Sequence, residues 1–247
     1  MQFPDACPVC ASPYMSFVKE WPRKIGGTTN LFYCMDCESF SSPQSRPNLE
    51  SDQTDWHVSV LERNLGWSDT LLEMLKNAGV KGPIVDVGCG IGSLLIAAER
   101  RGVSGTGFDL DAHAIKYGQE KFGLDLRPEL WTRDTVKDFG LITCVSVLEH
   151  IHQPRPMIAE MLQAAKDRKA SVYLSVPFVD RNAWGHLKTD NLATPGHLFA
   201  QPHVHVTHFS HKGMEAVCRQ FGAVDYQRID IPKGWHGVLI RFQEDVV

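Results

Sequence analysis

Two short cysteine motifs carry the first chemistry in this chain. Cys7-Pro8-Val9-Cys10 and Cys34-Met35-Asp36-Cys37 are separated by 23 residues, and each sets a pair of thiols on one side of a turn. Two such knuckles close a tetrahedral zinc site. Sulfur fills all four places, so no position is open for a substrate and the ion is structural. A segment of about 50 residues builds little core unaided, and a bound metal supplies the missing folding energy. Zinc is favoured over disulfides because the cysteines total seven, an odd number, and MQFPDACPVC has no secretory leader pattern.

A second constellation is Val85-Asp86-Val87-Gly88-Cys89-Gly90-Ile91-Gly92. An apolar run with one acid breaks into glycines at alternate positions, and Ser93 to Ala98 then favours helix. The pattern predicts a buried strand, a tight turn and a helix start. Glycines let a ligand approach the backbone, and the helix N-terminus offers unpaired N–H groups. Alone this is a nucleotide-like cradle of low specificity. Gly105-Thr106-Gly107-Phe108-Asp109 reads as the next strand, ending in an acid 17 residues beyond Gly92. In a doubly wound sheet that carboxylate reaches the ribose hydroxyls of a bound nucleoside. Asp111 is set to cap the helix Ala112 to Phe122.

The elements that must position these groups alternate strand and helix. Trp56 to Leu75 has apolar residues at helical spacing and leads to the glycine-loop strand after Gly79 or Gly82. Leu124 to Trp131 is a weak edge strand, and Phe139 to Ser146 has the apolar density of one buried on both faces. A helix over 156–166, a strand over 170–176, a helix over 210–221 and strands over 224–231 and 238–242 follow. Ser39 to Asp55 reads as a linker. The expected domains are a zinc ribbon over 1–48 and an α/β domain over 49–247, the latter interrupted by a long aperiodic insert at 178–209. A length of 247 residues and 43% hydrophobic content suit that plan. A net charge of −4 argues against a general phosphate-backbone binder. No apolar run nears the roughly 20 residues of a membrane span, so no membrane insertion is expected and the expected compartment is the cytoplasm. The oligomeric state is not legible.

VDVGCGIG, the stretch Gly107 to Asp111 (GFDLD) and Leu141 to Ile151 (LITCVSVLEHI) together resemble class I S-adenosylmethionine-dependent methyltransferases over about 84–242. VLEHI and HFSHKGMEAVCRQFGA are similar to the branch that holds the ubiquinone-pathway O-methyltransferases. The resemblance implies a doubly wound, mostly parallel seven-stranded sheet, with S-adenosylmethionine (SAM) as methyl donor and S-adenosylhomocysteine (SAH) as product. It implies that Gly88, Cys89, Gly90 and Gly92 cradle the methionine portion, with Asp86 beneath the loop. Asp109, followed by Leu110, would take the ribose, and Ser146, Val147 and Leu148 would line the methionine side.

Methyl transfer to a hydroxyl needs in-line alignment and a base near the methyl. Glu149 and His150 follow the fourth strand of the domain, and His150 is the first candidate base because an imidazole is partly neutral near pH 7. Glu149 is expected to hold loop geometry. The insert adds Trp184, His186, His197, His203, His205 and His208, with His205 or His208 as further candidate bases and His203 with His205 as a candidate divalent-metal pair. Ser146-Val147-Leu148-Glu149 lacks the Asn/Asp-Pro-Pro-Tyr pattern of exocyclic-amine methylation. The expected acceptor is therefore a hydroxyl of a small molecule, sugar or glycan. Alternatives are an RNA methyltransferase that reads its substrate with the zinc ribbon, and a non-catalytic SAM-binding protein.

Overall fold

The computed structural model describes residues 4–22, 28–44, 52–179 and 205–242. In chain order its strands are β1 (Met15–Pro22), β2 (Thr28–Cys34), β3 (Phe40–Ser41), β4 (Ile84–Val87), β5 (Gly105–Phe108), β6 (Leu126–Arg127), β7 (Leu141–Val145), β8 (Ser171–Ser175), β9 (Thr207–His208), β10 (Asp225–Asp230) and β11 (His236–Arg241). Its helices are α1 (Thr54–Ser59), α2 (Leu61–Asn77), α3 (Ser93–Arg100), α4 (Ala112–Phe122), α5 (Arg155–Arg168) and α6 (His211–Gln220), with a 3-10 turn at Leu148–His150. They form two compact units. One comprises Met1–Asn48, Leu148–Ile158 and Val176–Gln220, the other Leu49–Val147, Ala159–Ser175 and Phe221–Val247. Leu148–Ile158 and Val176–Gln220 thus group with the cysteine segment.

The larger unit holds seven strands in the order β10-β11-β8-β7-β4-β5-β6. The five strands from β8 to β6 are parallel, and β11 and β10 close the sheet antiparallel. Every residue of β4 is buried, as its apolar run requires for a strand covered on both faces. Leu71, Leu95, Ile115, Leu126 and Leu239 form a continuous core between this sheet and its helices. From β4 the chain steps to β5 on one side and later returns to β7 on the other. The direction of winding therefore reverses between β4 and β7, the position where open α/β sheets bind ligands at the strands' carboxyl ends. Asp111 caps α4 as expected, its Oδ1 accepting from the N–H groups of His113 and Ala114 at 3.0 Å each.

The other unit is built on a four-stranded sheet, β1-β2-β3-β9. Phe40 and Ser41, expected in a linker, instead pair with His208 and Thr207 and are buried. Their partner strand lies more than 160 residues away in sequence, and such a pairing leaves no trace in local composition. The 205–209 stretch is held on both sides. Ser42 N–H donates to Val206 O at 2.8 Å, while Val206 N–H donates to Glu149 O at 2.7 Å and Thr207 Oγ1 to Ile151 O at 2.8 Å. The expected 178–209 insert is described only at its ends, so Trp184, His186, His197 and His203 lie outside the described residues. No helix among the described residues is long and apolar enough to cross a membrane.

Candidate cofactor and metal sites

The four knuckle cysteines converge. Cys7 Sγ lies 3.6 Å from Cys37 Sγ and Cys10 Sγ 3.6 Å from Cys34 Sγ, and all four sulfurs fall within 4.8 Å of one another. Zinc bonded to four sulfurs at about 2.3 Å sets them about 3.8 Å apart, so the set fits the ion expected from the sequence. Both knuckles end alike: Ala11 and Glu38, which follow Cys10 and Cys37, take left-handed φ values of 63° and 64°. That turn folds each motif back so that its two sulfurs face the other pair. Hydrogen bonds from Cys37 and Cys7 lower the Cys34 thiol while those same contacts with Cys34 raise Cys7 and Cys37, so the metal-free cluster gathers its first negative charge on Cys34. Support comes from α6, where the capping residue Ser210 donates to Cys37 O and its Oγ accepts from Gly213 N–H at 2.8 Å. A side chain at Gly213 would crowd Ser39 Oγ at 2.4 Å and Cys37 Sγ at 3.2 Å.

In the larger unit the glycine loop follows β4 at the reversal of winding. Gly88, Gly90 and Gly92 all have positive φ, so the turn needs residues that tolerate that backbone. A Cβ on Gly88 would lie 2.1 Å from Val147 Cγ2, which brings the residues after β4 and after β7 into contact. Asp109 organises the cradle. Its Oδ2 accepts from Gly90 N–H at 2.8 Å and its Oδ1 from Asp111 N–H at 2.9 Å, fixing the carboxylate plane. Each oxygen keeps a further lone pair for a ligand hydroxyl. Ser146 closes β7 with φ 57°, a left-handed conformation uncommon for serine, and is exposed at the strand's carboxyl end. Leu110 is exposed beside Asp109, and Cys89 is buried within the loop. These groups fit a nucleoside bearing an amino-acid chain: a backbone cradle, a fixed carboxylate for a diol, and an open strand end.

Asp86 is buried at 4% exposure beneath the loop. It bonds to Thr143 Oγ1 at 2.7 Å on the paired strand, while the N–H groups of Gly88 and Cys89 go to Phe108 O. The N–H groups at the start of the loop are therefore held by the end of β5. Burial pushes the Asp86 carboxyl from 3.8 up to about 7, the Thr143 hydrogen bond opposing. An acid whose folded pKa is raised contributes its full stability below about 3.8 and loses it as pH rises through about 7. Ligand-free protein should thus lose thermal stability across that window relative to Asp86→Asn. Superimposable Tm–pH curves for the two proteins would contradict this.

The other unit carries the candidate bases. One Glu149 oxygen and one nitrogen each of His150 and His205 lie within 4.8 Å of one another, and the two imidazole rings cross edge-on with centroids 4.9 Å apart. Glu149 is 2% exposed, and its Oε2 has no hydrogen bond among the described residues. Burial raises its carboxyl from 4.5 to about 8, so it is largely protonated near neutrality. His150 keeps partial exposure. His208 is 1% exposed in β9, and burial lowers its pKa to about 3, with His205 adding to the shift. Leu148 is fully buried at the start of the 3-10 turn.

Comparison with known proteins decides the family. A family model described as a methyltransferase domain matches residues 61–227. The chain belongs to that methyltransferase family. Its sheet is the class I fold of SAM-dependent methyltransferases. Among curated relatives, a ubiquinone biosynthesis O-methyltransferase of Paracidovorax citrulli is 30% identical over 146 residues, 55% of this chain and 57% of that one. The counterpart in Stutzerimonas stutzeri is 29% identical over 102 residues, 38% of this chain and 42% of that protein. The chain thus spans about half the length of the curated relatives it matches. A crystal structure of magnesium protoporphyrin IX methyltransferase from Synechocystis PCC 6803 with bound SAH has a TM-score of 0.51 at 16% identity, covering 72% of this chain and 83% of that one. At that identity the likeness speaks for the fold.

His57 lies outside the sequence-derived site. It sits on α1, in contact with Gly90, and the helical spacing of its neighbours gave no reason to single it out. Thr143, the partner of Asp86, was equally hidden, because the pairing of β4 with β7 is a tertiary fact.

Proposed function

We propose that this protein transfers a methyl group from SAM to a hydroxyl of a small molecule, sugar or glycan. The observation that carries the reading is the cradle of Gly88, Gly90 and Gly92 closed by the doubly anchored Asp109 carboxylate at the reversal of winding. Family membership and the O-methyltransferase names of the partial relatives support it. When bound, SAM supplies an electrophilic methyl group on a good leaving group, which leaves the protein two tasks: alignment and removal of a proton. In this reading Asp109 holds the ribose and the glycine loop, with Ser146 and Val147, holds the methionine portion. His150 takes the proton from the acceptor hydroxyl, with His205 beside it and the buried Glu149 fixing the turn.

The test is label transfer. Protein incubated with methyl-labelled SAM and fractionated cell extract should pass label to small hydroxylated compounds and leave RNA unlabelled. Label confined to RNA, or none transferred by protein that binds SAM, would overturn the reading. Given an acceptor, His150→Ala should lower kcat by at least about a hundredfold, the usual contribution of a general base, with SAH affinity unchanged. Near-normal turnover would remove His150 from the mechanism.

A further inference from the structure

The segment before the sheet carries an imidazole that packs on the cofactor cradle. A Cβ built on Gly90 would come 2.4 Å from His57 Cε1, 2.7 Å from Nε2 and 2.9 Å from Nδ1. Three ring atoms at such distances mean that the ring rests directly on the middle glycine of the loop. Gly90 is the residue whose N–H fixes the Asp109 carboxylate. Only a glycine leaves room for the imidazole there, so the loop's composition and the histidine are matched.

The helix that bears His57 is held in place by the same site. None of the six residues of α1 is fully buried, and so short a helix has little stability of its own. Its start is tied down where Gln53 N–H donates to Asp111 Oδ2 at 2.7 Å, on the carboxylate that also caps α4. His57 N–H closes the first turn onto Gln53 O at 2.9 Å. The Gln53–Asp111 bond and the ring on Gly90 therefore tie α1 to the Asp109–Asp111 corner of the cradle. The outer face presents Trp56, 54% exposed, with its ring centroid 5.0 Å from that of His57. Burial lowers the His57 pKa against the opposing pull of Asp109 and Asp111. The ring is thus neutral at physiological pH and offers one donor and one acceptor nitrogen.

We propose that His57 is a cofactor-positioning residue, forming the outer wall of the methyl-donor seat and hydrogen-bonding the donor's polar groups above Gly90. The inference rests on the reading of the glycine loop as a SAM seat. It adds a residue from outside the sheet and makes α1 the element that closes the seat. Leu110, exposed beside Asp109, and Trp56 then lie along the rim. Because α1 buries so little itself, the bound cofactor gives it a second surface to rest on, and its order should rise with occupancy.

The test is calorimetric titration of the full chain with SAH. His57→Ala should weaken binding about tenfold, the effect of one lost hydrogen bond to a polar ligand, while His57→Asn should restore most of it. Melting of the ligand-free variants should stay close to wild type, since His57 is only partly covered. A second readout is independent of the variant's folding. Trp56 emission, taken as the difference between wild type and Trp56→Phe, should change on SAH addition as α1 settles on the ligand. His57→Ala that binds SAH within about twofold of wild type overturns the proposal, a difference too small for a lost hydrogen bond. A Trp56 signal indifferent to saturating SAH also overturns it. Wild-type protein that takes up no SAH overturns the SAM seat itself, a result distinct from either.

Discussion

Replacing Cys37 with serine will remove the zinc and unfold more than the ribbon. Elemental analysis of wild-type protein should find about one zinc per chain, and the variant essentially none under dialysis. Zinc bound by four thiolates contributes on the order of 10 kcal/mol to small domains, more than the whole stability of many of them. The consequence here spreads because the cysteine segment shares its sheet with chain from far downstream. β3 pairs with β9, and Ser210 at the head of α6 donates to Cys37 O. Loss of the metal should therefore raise hydrogen exchange across 205–220 as well as 4–44. It should extend to the turn at 148–151, whose carbonyls accept from Val206 and Thr207. Full zinc content in Cys37→Ser would contradict the closed four-sulfur site. Exchange confined to 4–44 would contradict the coupling.

Asp109→Ala should weaken SAH binding by more than about tenfold, because it removes charge-assisted hydrogen bonds to a diol, each worth more than a neutral one. It also strips acceptors from Gly90 N–H and Asp111 N–H, so the loop loses its anchor as the ligand loses its partner. Asp109→Asn keeps one acceptor oxygen and should fall between the two. An unchanged SAH affinity in Asp109→Ala would place the ribose elsewhere. With its ring on the same loop, His57 should respond to Asp109→Ala through a more mobile α1, which ties the two substitutions together in one site.

Much of this was written in local sequence. Strand, glycine turn and helix over 84–98 are encoded by neighbours, and so is the capping of α4 by Asp111. The cysteine spacing specified a metal site because four sulfurs in two CxxC knuckles have few other uses in a short segment. What could not be read depends on residues brought together from afar. Phe40 and Ser41 look like linker until β9 covers them, and nothing near Asp86 in sequence names Thr143, which meets it from the paired strand. His205 was legible as one of several histidines, but its place beside Glu149 and His150 rests on the 205–209 stretch lying between β3 and the turn after β7. His57 carried no signal, since a single histidine on a short exposed helix has no periodicity to betray it.

The proposed SAM seat is the loop after β4, with Asp109 and Val147. Ultraviolet cross-linking of radiolabelled SAM to the full chain, followed by peptide mapping, tests it most directly. Saturable label should appear on peptides from 84–111 or 143–148 and be displaced by excess SAH. Label that does not saturate, resists SAH, or maps wholly outside those peptides would contradict the account.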